Sequence, residues 1–154
     1  MRIGNWPLLL LAIEHAIKHK ENYDQLKWVR DCGAVRCLAG WIAYFAGWRG
    51  EGGKEDESWV ISPSWMGGSV SVHIEDAALI SLELDEETYG TEIGEDDRST
   101  EMNELAASLF NGGLSFELVL EAVRDLAKAD GVTPTPLIVE EMLTAGILSK
   151  WDTF

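Results

Sequence analysis

The chain is short of the residues that covalent or anionic chemistry calls on. It holds two cysteines, three histidines, and 12 lysines and arginines against 27 aspartates and glutamates, for a formal charge of −15. With so little positive charge, contact with a nucleic-acid backbone is disfavoured by repulsion, and contact with an anionic membrane surface equally so. Long hydrophobic runs are missing as well. The apolar, uncharged stretch from Cys37 to Trp48 is 12 residues, well under the ~20 that cross a bilayer. Leu8 to Leu11 has the look of a short signal peptide, but Glu14, His15, Lys18 and His19 follow at once, without the small-residue cleavage pattern. A cytoplasmic setting with both cysteines as reduced thiols is therefore expected. No Gly-rich loop follows an expected strand, no His-Glu metalloprotease motif occurs, and no internal repeat is evident. These absences point away from an enzyme.

What is present suits one domain with a real core: 154 residues, 46% of them hydrophobic. The expected fold is mainly α, a compact single-domain bundle of five to six helices with a small β-hairpin. Leu9, Ile13, Ala16 and Ile17 recur at helical spacing from Trp6 to Lys20, with Asn5 as cap and Pro7 in the first turn. Leu38, Trp41, Ile42, Phe45 and Trp48 mark one face of a second helix, whose other face is small: Ala39, Ala43, Ala46 and Gly47. Such a helix belongs inside the domain, where a neighbour can approach its backbone. Arg49 to Ser58, with three glycines and six charges, reads as a loop. Trp59 to Ile61, then Val70, Val72 and Ile74, suggest a hairpin around Pro63 and Gly67-Gly68, running into a third helix over Glu75 to Leu84. An acidic loop at about 85–99 leads into a helix with Met102, Leu105, Ala106 and Leu109 inward. Ser115 caps the next, with Phe116, Val119, Leu120, Val123 and Leu126 in register and Gly131 at its end. Thr135 and Pro136 start the last helix, which closes at Gly146.

Three groups of residues are candidates for function. Cys32 and Cys37, four residues apart, could join His15 and His19, which share a helical face at i,i+4 spacing, around a zinc ion. The competing reading is buried, inert thiols at the start of an apolar helix. A catalytic thiol would need a base such as His73 and an electropositive setting. The second group is aromatic: five of the seven tryptophans, Trp28, Trp41, Trp48, Trp59 and Trp65, fall within 38 residues. Core packing accounts for Trp41 and Trp48, seven apart on one helix. Trp59 and Trp65, if exposed beside the acidic 51–57 loop, would instead form an anchor for a cationic ligand or an Arg-rich surface. The third group is the carboxylates Asp85, Glu86, Glu87, Glu92, Glu95, Asp96 and Asp97, either a solvated loop or a surface that imitates DNA phosphates.

His19-Lys-Glu-Asn-Tyr-Asp24-Gln25, then Trp28, Cys32-Gly33 and Cys37-Leu-Ala-Gly-Trp41, resemble a group of small proteins from actinobacteria and their phages. The likeness covers residues 15 to 48; this chain has Lys20 where that pattern usually has proline, Ala34 for its threonine and Ile42 for its alanine. The resemblance implies a phage or actinobacterial origin and a motif region at the centre of the fold, and it transfers no activity. The expected function is thus non-enzymatic: an acidic binding protein that engages and inhibits a host protein with a basic surface in the host cytoplasm, in the manner of a DNA-mimicking counter-defence protein. A small-molecule or nucleotide-signal binder with a Trp-lined pocket and a zinc-stabilised interaction domain are the alternatives. No other cofactor is expected, and the sequence sets no oligomeric state.

Overall fold

The computed structural model describes residues 3–19, 37–50, 59–63, 71–83, 100–111 and 114–149, with the backbone alone at 59 and 100–102. Within them lie six helices and a three-stranded antiparallel sheet. The helices are α1 (Trp6–Lys18), α2 (Leu38–Phe45), α3 (Ile74–Ser81), α4 (Thr100–Phe110), α5 (Phe116–Asp130) and α6 (Pro136–Thr144); the strands are β1 (Arg49–Gly50), β2 (Trp59–Ile61) and β3 (Ser71–His73). The fold is mainly α, as the hydrophobic periodicity predicts. Among the described residues no helix is long and apolar enough to cross a membrane.

Helix boundaries follow local chemistry. The Asn5 side-chain oxygen accepts the Leu8 N–H at 3.3 Å, and the Ser115 hydroxyl accepts that of Leu118 at 3.3 Å, each satisfying a donor that the helix itself cannot. α5 and α6 end on Gly131 and Gly146, at φ of 69° and 77°, a left-handed conformation that glycine adopts without a Cβ penalty. α3 ends in the same way, but its residue there is Glu83, at φ 51°.

α2 is the central element. It packs against α1, α3 and α4, and every residue from Leu38 to Ala43 is buried. Gly40 lies within that run, so the small residues do what the sequence suggests and admit neighbours close to the backbone. One core cluster joins Leu9 and Ile13 of α1 to α2, Leu79 of α3, Leu109 and Phe110 of α4, Val119, Leu120 and Val123 of α5, and Ile138 and Met142 of α6. A second, smaller cluster lies under the sheet: Ala43, Trp48, Val60, Val72, Ile74 and Ala77.

Three expectations need correction. Trp48 is not on the α2 face, because the helix stops at Phe45 and Gly47, at φ 97°, turns the chain; Trp48 enters the sheet-side cluster and donates its indole N–H to the Ser81 hydroxyl at 2.9 Å. The expected hairpin is present as β2 and β3, and β1 adds a third strand to it. Arg49 and Gly50, read as loop, pair with Ile61 and Val60, a pairing set by the neighbour and not by their own exposed side chains. Ile74 starts α3 instead of continuing β3, since His73 turns its ring nitrogen Nδ1 to accept the Glu75 N–H at 3.2 Å and so caps the helix. The β2–β3 register sets Trp59 opposite His73, Val60 opposite Val72 and Ile61 opposite Ser71.

The segment before α1 is fastened at both sides. Gly4 N–H donates to the carbonyls of Leu82 and Glu83 at 3.1 and 3.0 Å, and Asn5 N–H to Leu82 at 2.9 Å. On the other side Asp130, the last residue of α5, accepts the Trp6 indole N–H at 2.8 Å and the Ile3 N–H at 3.2 Å through one carboxylate oxygen. An anion in the last turn of a helix opposes the macrodipole. Its two donors from the far end of the described chain give it a structural reason to be there.

Candidate functional site

Cys37 is the N-cap of α2. Its Sγ accepts the Gly40 N–H at 3.4 Å, and the residue is wholly buried. Burial drives the thiol pKa up from 9.0 to about 12, against the lowering effect of the amides of Gly40 and Ala39. The thiolate, the reactive and metal-binding form, is thereby suppressed at neutral pH. His73, the conceivable base, spends Nδ1 on the α3 cap. His15 and His19 do share a face of α1, with ring centroids 4.5 Å apart, but His15 turns to Trp41 and Phe45, at 4.2 and 5.1 Å. Among the described residues no three His, Cys, Asp or Glu side chains gather closely enough to hold a metal ion. Cys32 lies outside the described residues.

The imidazoles belong instead to an aromatic cluster. Trp41 stacks on Phe45 at 5.9 Å, and Tyr44 meets both edge-on at 5.9 and 5.5 Å. Tyr44 is 51% exposed at its outer edge. The cluster closes the junction of α1 and α2, and offset and edge-to-face pairs of this kind add about 0.5–1.5 kcal/mol each beyond area burial. Trp6, Trp41 and Trp48 are all buried. Of the anchor residues suggested by the sequence, Trp59 has its backbone in β2, while Trp65, Asp85, Glu86, Glu87, Glu92, Glu95, Asp96 and Asp97 lie outside the described residues.

Two cavities lined by described residues bear on the question of a site. One, of about 370 Å³, sits between α1 and the ends of α2 and α3, lined by Asn5, Leu8, Phe45, Ile80, Ser81 and Glu83. Its polar groups already serve the fold: Asn5 caps α1 and donates to the Ser81 carbonyl at 3.2 Å, while the Ser81 hydroxyl donates to Ala77 O at 2.7 Å and accepts from Trp48. The other, of about 600 Å³, is a groove between α4 and α5. Its apolar lining is Leu105, Leu114, Leu118, Ala122 and Leu126, and Glu104, Ser108 and Asp125 stand on its rim. No tryptophan lines either cavity.

The groove exists because α5 carries two apolar rows. Val119, Leu120, Val123 and Ala127 go to the core; Ala122 and Leu126 are partly buried and pack against its edge, and Leu118, 47% exposed, stands clear of it. Leu118, Ala122 and Leu126 follow one another at i,i+4 spacing on α5, with Leu114 just ahead of the Ser115 cap, so they form one inclined ridge along the side of the groove. Beside it runs a second row, Glu117, Glu121 and Asp125. Like charges at that spacing cost a helix about 0.2–0.5 kcal/mol per pair. The cost is tempered by Glu117 in the first turn, where the dipole favours an anion, and by the 2.9 Å pair of Arg124 with Asp125. Arg124 is itself held, donating to the Ile147 carbonyl at 2.7 Å. Leu126 packs against the core as its helical register suggests; the groove beside it is not evident from the sequence, although the i,i+4 leucine and alanine row is its signal.

In comparison with known proteins, no family model, no curated protein and no solved structure matches this chain.

Proposed function

We propose that the protein acts by binding another protein through a basic face on that partner. The observation that carries this reading is the charge: 27 acidic against 12 basic residues, with Glu104, Glu117, Asp125 and Glu140 standing exposed along α4, α5 and α6. Carboxylates dispersed over a surface speed and select association with a cationic partner. The likeness of residues 15–48 to actinobacterial and phage proteins makes a host factor the partner class to search first, and inhibition of that factor, by occupying a cleft that otherwise holds DNA, the mode of action. Trp59, Trp65 and the 85–97 carboxylates are proposed to contribute to the contact.

The test is capture from actinobacterial lysate on immobilised protein at low and at high salt. Bound proteins should be basic, and should be released as ionic strength rises from about 0.05 to 0.5 M, where the screening length falls several-fold. Capture indifferent to salt would overturn the reading.

A further inference from the structure

We propose that the α4–α5 groove is the docking site for an amphipathic helix of the partner, apolar along one stripe and edged with lysine or arginine. The inference rests on the proposed binding of a basic protein and assigns that binding a place. Leu118, Ala122 and Leu126 of α5, with Leu114 just before its cap, form one wall, and Leu105 of α4 lines the groove with them. From Leu118 to Leu126 the helix rises ~12 Å, the length of just over two turns in a partner helix with apolar side chains at i, i+4 and i+7. A groove bounded by two helices offers its occupant no free sheet edge, so apolar side chains, not backbone hydrogen bonds, must make the contact. Nearly half of Leu118 is in water, and a stripe of leucines would cover it.

Charge selects the occupant. Glu104 stands on the α4 rim and Asp125 on the α5 rim, with Glu121 and Glu117 continuing the α5 row. Asp125 already shares one oxygen with Arg124, yet it remains 68% exposed at the side chain and can accept a further donor. A partner helix with basic edges would relieve the like-charge row along α5. A second copy of this chain would bring the same carboxylate row against itself, at a net charge of −15 on each copy, so self-association through the groove is disfavoured.

The experiment uses a fluorescent synthetic helix of about 14 residues with leucines at i, i+4 and i+7 and flanking lysines, titrated with the full chain and read by anisotropy. Two control peptides replace the leucines by serine or the lysines by glutamate. The Leu/Lys peptide should bind, and either control should bind at least about tenfold more weakly. Leu118→Ser, a change at an exposed position, should weaken the Leu/Lys peptide about tenfold while leaving Tm unchanged. Glu117→Lys with Glu121→Lys should shift preference toward the glutamate peptide. Binding of the Leu/Lys peptide unaffected by Leu118→Ser would overturn the groove and leave the basic-partner reading standing. Equal binding of the glutamate peptide, weakened by Leu118→Ser, would overturn the basic-edged occupant together with the basic-partner reading, and leave only an apolar groove. Failure of the wild-type chain to bind the Leu/Lys peptide would overturn the groove proposal, as would a dimer in sedimentation that Leu118→Ser dissociates.

Discussion

The two sharpest constraints on single residues are a thiol that must stay protonated and a position that tolerates no side chain. Cys37 is held near a pKa of 12 by burial, against 9.0 unperturbed. Below pH 9 folded and unfolded chains both carry this proton, and its contribution to stability is constant. Between pH 9 and about 12 only the unfolded chain loses it, so stability falls by about 1.4 kcal/mol per pH unit. Urea titrations of wild type and Cys37→Ser from pH 8 to 10.5 should diverge by roughly 2 kcal/mol at the alkaline end; parallel curves would refute the burial argument. With Cys32 replaced by serine, the remaining thiol should alkylate no faster than the protein unfolds. Gly4 has the opposite problem, since a Cβ there would overlap the Glu83 carbonyl oxygen. Gly4→Ala should cost about 1–3 kcal/mol, read as a lower urea midpoint at unchanged m-value. Cys37 as the opening residue of a buried helix was legible from the apolar run behind it. The Gly4 constraint was not, because its partner is 79 positions away in sequence.

Among the elements, the helices were legible because each carries its own 3.6-residue period and several carry caps visible in the sequence. Asn5, Ser115, Gly131 and Gly146 are visible as isolated residues and do what their chemistry implies. β1 was illegible because two exposed residues have no pattern; only β2 gives them a direction. The fate of Trp48 escaped for a related reason. Its position fits the heptad-like spacing of α2, and only the turn at Gly47 sends it across to Ser81. Replacing Ser81 by alanine strands the Trp48 indole N–H in the core and should cost about 1–3 kcal/mol. The Trp48→Phe, Ser81→Ala double variant should recover part of that loss in a thermodynamic cycle. Additive single and double effects would show that the 2.9 Å bond carries no coupling. The groove escaped for a different reason: Ala122 and Leu126 do pack against the core edge, and only the exposure of Leu118 beside α4 marks the open side.

For the whole molecule, charge sets the response to its surroundings. A net −15 on 154 residues makes the folded state repel itself, and salt should relieve this. Raising NaCl from about 0.02 to 0.5 M is expected to raise Tm by roughly 3 °C, equivalent to about 1 kcal/mol. A Tm that falls with salt would mean that attractive ion pairs outweigh the repulsion. The site residues named from the sequence fall on Trp59, Trp65 and the acidic 85–97 segment, whose side chains lie outside the described residues, whereas the groove emerges only once α4 and α5 are set side by side. The fastening of Ile3 and Trp6 to Asp130 also orders events in time. The two bonds close loops of 127 and 124 positions. At a synthesis rate of roughly 5–20 residues per second, α1 waits on the order of 6–25 s after its own translation for Asp130 to be made. Until then Leu9 and Ile13 have no α5 or α6 to pack against, and the nascent chain presents an amphipathic helix to whatever chaperone attends the ribosome.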